Sequence, residues 1–128
     1  MALTGFAHLV VRVNDIDEGI ATYRDRLGLT LDRIDESEAL GIKQAFFNMP
    51  NGGFIEIVAP TNADSAVGQA LEGRGEGMHT IALEVDDLAA TCEAMKEGGA
   101  RLIGEGGPQV FVHPKSTHGI LLQLSVRQ

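Results

Sequence analysis

Two stretches of this sequence follow one plan. Residues 5–16 run Gly5-Phe6-Ala7-His8-Leu9-Val10-Val11-Arg12-Val13, then two polar residues, then Ile16. Residues 77–88 do the same through Val85 and Leu88. Matching Val13 with Val85 sets Asp15-Ile16 against Asp87-Leu88. It also sets His8 against Thr80 and not against His79. The one-residue difference matters because neighbouring strand residues point to opposite faces of a sheet. A repeat of this kind bears on the fold more heavily than any local propensity.

The rest of the chain fits two copies of one unit. In the first, residues 5–13 read as a strand. Asp15 and Glu18 form a capping pair for a helix striped by Ile16, Ile20, Tyr23 and Leu27 and closed at Gly28. Leu29–Ile34 reads as a short strand, the polar run Asp35–Leu40 as a loop and Ile42–Met49 as a strand. Pro50-Asn51-Gly52-Gly53 is a turn and Phe54–Val58 the returning strand. In the connector, Ser65–Leu71 has the makings of a short helix. The second copy reads as a strand at Met78–Val85 and a helix striped by Leu88, Cys92 and Met95 ending at Gly98-Gly99. Strands follow at Arg101–Ile103 and Gln109–His113, then a turn at Pro114–Gly119 and a strand at Ile120–Val126.

Each unit of about sixty residues is too small to bury its sheet alone. The expected fold class is therefore α+β. Two pseudo-symmetric βαβββ units, 5–60 and 77–126, joined by a connector at 61–76, form a curled mixed sheet around one cleft, with a helix on each outer face. The whole chain of 128 residues is expected to be a single domain.

Composition removes several function classes. A formal net charge of −8 and the absence of tryptophan argue against a nucleic-acid partner. No apolar run approaches the length of a membrane span. No glycine-rich phosphate loop opens a helix, so a nucleotide site is not expected. One cysteine, Cys92, excludes an intrachain disulfide, fits a cytoplasmic setting and sits at a core spacing.

Alternation assigns the cleft-lining residues. His8, Val10 and Arg12 share one face of the first strand, and Thr80, Ala82 and Glu84 share one face of the fifth. Glu56 stands out of phase with Ile55 and Ile57, and Gln123 with Leu122 and Leu124. A carboxylate or carboxamide inside such strands is costly to bury without partners, so both are expected to face the cleft. His8 matches Thr80 and Glu56 matches Gln123, which makes a symmetric quartet. Two histidines with two Glu or Gln would be a good octahedral metal site, and here the quartet is His8, Glu56, Thr80 and Gln123. His8 also fits a strand histidine bonded to a neighbour. Arg12 and Glu84 occupy matched positions that could pair. His79 and His113 read as structural, and His118 either caps its turn or reaches the cleft mouth. The acidic run from Asp32 to Glu38 reads as a solvated loop.

These pieces resemble the vicinal oxygen chelate superfamily (glyoxalase, bleomycin resistance protein, dioxygenase), most nearly its methylmalonyl-CoA epimerase branch. The residues carrying the resemblance are Ala7-His8 with Asp15-Ile16, Tyr23-Arg24-Asp25-Arg26-Leu27-Gly28, Ile55-Glu56-Ile57-Val58-Ala59-Pro60 and Gly75-Glu76-Gly77-Met78-His79. To these are added His113-Pro114-Lys115-Ser116-Thr117 and Gly119-Ile120-Leu121-Leu122-Gln123-Leu124. The resemblance implies a divalent metal held at the positions of His8, Glu56 and Gln123, with a carboxylate shuttling a proton beside a carbonyl. It also implies an acyl-CoA or other small-molecule substrate met by Thr80, Gln44, Arg12 and Lys115, and a homodimer. The chain departs from the pattern in three places. Thr80 stands where the family has its second histidine ligand. Gln123 stands where it has a carboxylate that is both ligand and proton carrier. The glycine-rich loop at 104–108 is short. Gln44 falls where some epimerases carry an additional catalytic glutamate. The expectation is weak or no tightly held metal, and an epimerase-like isomerase or lyase with Glu56 as base and Gln123 beside it. The alternative is a metal-free binding or drug-sequestering protein of the same fold.

Overall fold

A computed structural model describes residues 3–50 and 52–126. In chain order the elements are β1 (Leu3–Arg12), α1 (Ile16–Ala21), β2 (Leu31–Ser37), β3 (Ile42–Asn48), β4 (Phe54–Pro60), α2 (Ala66–Arg74), β5 (Gly77–Val85), α3 (Leu88–Glu97), β6 (Leu102–Ile103), β7 (Val110–Val112) and β8 (Leu122–Val126). The strands form one mixed eight-stranded sheet, not closed, in the order β2-β3-β4-β1-β5-β8-β7-β6. The class is α+β, with three helices. None of the described helices is long and apolar enough to cross a membrane, which says nothing about strands.

By contacts the chain forms two compact units, and they are not the two sequence copies. Leu9–His79 makes one, and residues 3–8 with 80–126 make the other. The start of β1 belongs with the second unit through Thr4, whose hydroxyl donates to the Glu84 carboxylate at 3.0 Å.

In the unit Leu9–His79 the sheet is packed on both faces. On one face Val11, Val13, Ile55, Ile57, Ala45 and Phe47 meet Ile16, Ile20 and Tyr23. The Asp15 side chain caps α1 as expected, accepting from the Asp17 and Glu18 amides. The stripe fails at its end. Thr22–Arg26 forms a π turn, closed by the Leu27 amide donating to the Thr22 carbonyl at 3.1 Å. The wider turn rotates Leu27 off the apolar face, and it is 58% exposed. Gly28, at φ +77°, then ends the segment where a helix-terminal glycine was expected.

On the opposite face α2 covers part of the sheet. Val10, Ile42 and Val58 pack against Val67 and Leu71. The sequence suggested a short helix here and not its packing role. The Ser65 hydroxyl caps it by accepting from the Gly68 amide at 3.0 Å. Gly68 lets the helix start lie on the preceding loop, because a Cβ there would stand 2.8 Å from the Ala63 and Asn62 carbonyl oxygens.

The strand expected at Leu29–Ile34 instead runs Leu31–Ser37, so most of the expected acidic loop is extended chain. Pairing with β3 supplies the backbone partners that local propensity could not, from Leu31 opposite Phe47 to Ser37 opposite Ile42. An irregularity between Leu31 and Arg33 breaks the register. Asn51 of the expected turn lies outside the described residues.

In the unit of 3–8 and 80–126, Val85, Cys92, Val110, Val112 and Leu124 form the core, with Leu88 and Met95 against it. Cys92 is the packing residue its spacing suggested. The last three strands are shorter than expected. Pro114–Ser116 is a 3-10 turn capped by His113, whose Nδ1 accepts from the Lys115 amide at 3.0 Å.

Candidate functional site

Strand pairing decides which residues share a face, and the polar ones in Leu9–His79 collect on one. Phe46 lies opposite Glu56 and Gln44 opposite Val58. These four therefore point to the face that α2 partly covers. The helix occupies the Val10–Ile42–Val58 end. Beyond it, Gln44 Nε2 donates to Glu56 Oε2 at 3.0 Å, a diagonal cross-strand bond. Phe46 and Phe54 stand alongside, with ring centroids 5.8 Å apart.

Glu56 is half-buried on an apolar strand, and its environment decides its protonation. Burial raises its pKa above the usual carboxylate value, while the Gln44 hydrogen bond and the Arg33 charge pull the other way. Burial is the largest of the three. A carboxylate of raised pKa, oriented by an amide, has the properties of a general base.

Arg33 was not singled out in the sequence, although it falls within the expected strand Leu29–Ile34. It sits opposite Phe46 across the β2–β3 pair. Its guanidinium lies 3.9 Å from the Phe46 ring centroid. Nε donates to Asp35 at 2.9 Å and Nη1 to Asp32 at 3.2 Å. The signal that could have found it is spacing: an arginine flanked by aspartates at the preceding position and two beyond.

Arg12 is buried, with Nε donating to the Gly75 carbonyl at 2.8 Å and Nη1 to the Met78 carbonyl at 2.7 Å. It ties β1 to the end of α2 and to the start of β5, a structural task for a residue expected to meet substrate. His79 is half-buried, its Nδ1 without a hydrogen-bond partner among the described residues. Burial, then the charges of Arg12 and Arg74, push its pKa down to about 4.

In the other unit Gln123 lies opposite Ala82 on β5 and Phe111 on β7. It points away from the Cys92–Leu124 core. Thr80 is buried, and its hydroxyl donates to the Leu121 carbonyl at 2.5 Å. Burial lowers the His8 pKa, which favours neutral imidazole. Lys115 is exposed on the 3-10 turn. His118 is exposed at φ +60°.

Hydrogen-bond phase bears on the repeat register. The Val13 amide donates to the Val58 carbonyl on β4, and the Ile81 amide to the Leu121 carbonyl, one residue before β8. Amides alternate between the two edges of a strand. Val13 can therefore match Ile81, Leu83 or Val85, and never Glu84. Counting back five residues gives His8 an even-numbered partner, the parity of the expected match with Thr80. With Val13 on Val85, the same ladder carries Ala59 to Val126 and so Glu56 to Gln123.

The donor set suits a divalent metal poorly. Thr80 offers a hydroxyl already donating to a carbonyl, and Gln123 a neutral amide. Among the described residues, no three His, Cys, Asp or Glu side chains come together in a way that could hold a metal ion.

Comparison with known proteins bears on all of this. A family model described as Glyoxalase/Bleomycin resistance protein/Dioxygenase superfamily matches residues 7–115. The ethylmalonyl-CoA/methylmalonyl-CoA epimerase of Cereibacter sphaeroides is 32% identical over 126 residues, covering 91% of this chain and 93% of its own. The crystal structure of methylmalonyl-CoA epimerase from Mycobacterium tuberculosis matches with a TM-score of 0.87 at 31% identity, over 98% of this chain and 89% of that one. A variant of the Streptomyces coelicolor methylmalonyl-CoA epimerase in complex with 2-nitronate-propionyl-CoA matches with a TM-score of 0.84 at 30% identity, over 97% of each chain.

Proposed function

The chain belongs to the glyoxalase/bleomycin resistance protein/dioxygenase superfamily, and from that premise we propose that it is an epimerase-like isomerase of acyl-CoA thioesters with Glu56 as its base. The observation that carries the reading is the Gln44–Glu56 pair: a carboxylate of raised pKa, bonded to the Gln44 amide, on the polar face of β3 and β4. The similarity to methylmalonyl-CoA epimerases supports the substrate class.

Glu56 takes the proton from the carbon beside the thioester carbonyl, and the electron pair moves onto the carbonyl oxygen. Return of the proton re-forms the C–H bond. Gln44 fixes the carboxylate through Oε2. Epimerisation also needs a proton delivered to the opposite face of the carbon. Gln123, at the position of the family's second carrier, is an amide and cannot carry one. With one base the proton either returns to the carbon it left, which is hydrogen exchange, or is returned at another atom, which is isomerisation. A homodimer and a cytoplasmic setting belong to the same reading, supported by the resemblance and by the single cysteine.

A binding protein of the same fold is the second reading, favoured by Thr80 and Gln123 at the altered positions. Incubation with methylmalonyl-CoA in deuterium oxide separates the two. Deuterium at the carbon between the two carbonyls is expected, and Glu56→Gln should slow its entry about 10²–10⁴-fold. Exchange without inversion supports one-base chemistry. No exchange, with tight binding, supports the binding protein. Exchange at the parental rate in Glu56→Gln removes Glu56 as the base.

A further inference from the structure

Arg33, Phe46 and Glu56 lie in one row across β2, β3 and β4, each opposite the next. Adjacent strands are about 4.8 Å apart, so the Arg33 and Glu56 backbones are separated by about 10 Å with one aromatic ring between them. The Arg33 side chain folds over that ring and brings its charge within electrostatic reach of Glu56. The only other basic residue on β2–β4, Lys43, alternates to the opposite face.

We propose that Arg33 is a specificity-determining residue, its guanidinium receiving the free carboxylate of a carboxylated acyl thioester while Glu56 works on the adjoining carbon. The inference rests on the acyl-CoA reading above and adds a residue to it. Three features of the arginine carry it. Its plane is fixed in advance, by the Phe46 ring below and by Asp32 and Asp35 at Nη1 and Nε, so little side-chain freedom remains to be lost on binding. The two aspartates bond to Nε and Nη1 and not to Nη2. A guanidinium matches a carboxylate in plane and in charge, which an aromatic ring alone would not. A neutral acyl thioester has no carboxylate to offer Nη2 and would lose only that contact.

The test is calorimetric titration with two probes, methylmalonyl-CoA and propionyl-CoA, which differ in the carboxylate. The parent should bind methylmalonyl-CoA more tightly. Arg33→Gln should weaken methylmalonyl-CoA about ten- to a hundredfold, the scale of a hydrogen bond to a charged group, and leave propionyl-CoA nearly unchanged. Arg33→Lys keeps the charge without the planar fork and should fall between. Equal weakening of both probes, or none in Arg33→Gln, overturns the role of Arg33. If Arg33→Gln proves unstable by thermal melting, Arg33→Lys carries the test alone, and unchanged discrimination there overturns it. A parent that binds neither probe overturns the acyl-CoA reading itself, and that result comes before any variant is made.

Discussion

Gln44→Glu would place a second carboxyl group against Glu56, and the consequence can be worked from the geometry. The Gln44 nitrogen now stands 3.0 Å from Glu56 Oε2. Two carboxylates relaxing to about 4 Å at an effective dielectric of about 20 repel by about 4 kcal/mol, or about three pK units. Burial already raises the Glu56 pKa, so the pair should share one proton through neutral pH. The sign follows from proton linkage. A carboxyl whose folded pKa lies above its unfolded value contributes most below the unfolded pKa and loses that contribution as pH rises through the folded one. The variant should match the parent near pH 4, where the protonated carboxyl donates as the amide did. It should then fall behind as pH rises, by up to about 4 kcal/mol. Urea unfolding across pH 4–8, with carbon-13 titration of the carboxyl groups, measures both effects. A stability gap that stays constant with pH, and two carboxyls titrating independently near their ordinary values, would refute the shared contact.

Thr80→His with Gln123→Glu should give a divalent-metal-dependent rise in melting temperature, because a ligand held only by the native state stabilises it. No rise with any of magnesium, manganese or cobalt would mean these positions do not share a site with His8. Gly68→Ala should cost more than 1–2 kcal/mol in urea unfolding, on the order of a strained overpacking change, since its Cβ would meet carbonyl oxygens at 2.8 Å. A neutral or stabilising result would show that the loop yields freely. His79→Gln should flatten the acid side of the stability profile. The imidazole is held neutral to about pH 4 in the fold while its ordinary value is 6.5, so the parent loses stability as pH falls through that window. Parallel acid profiles for parent and variant would refute it.

Much of this architecture was legible because side-chain period and caps are local. Asp15, Ser65 and Asp87 each precede a helix that their side chains cap. Strand alternation placed Glu56 out of phase with the Ile57 face. What escaped is set by distant partners. β2 extends through Asp35 because β3 offers it a ladder, and nothing in a run of acids announces that. The π turn turns Leu27 out although its spacing fits the stripe. Arg12 looked like a charge awaiting substrate until the carbonyls of Gly75 and Met78, more than sixty residues away, supplied its acceptors. Arg33 lay inside the expected strand Leu29–Ile34, and what hid it was its cross-strand partner Phe46.

The irregularity in β2 has a second effect, on how copies of this protein meet each other. An open sheet has two outer strands, here β2 and β6. Each exposes backbone groups that a neighbouring molecule could pair with. β6 is only two residues long and offers little to copy. β2 is seven residues long, and the slip between Leu31 and Arg33 breaks its regular ladder. Asp32, Arg33, Asp35 and Glu36 then line it with charge. The segment that brings the Arg33 charge within electrostatic reach of Glu56 is thus also one whose charge and broken ladder disfavour edge-to-edge pairing.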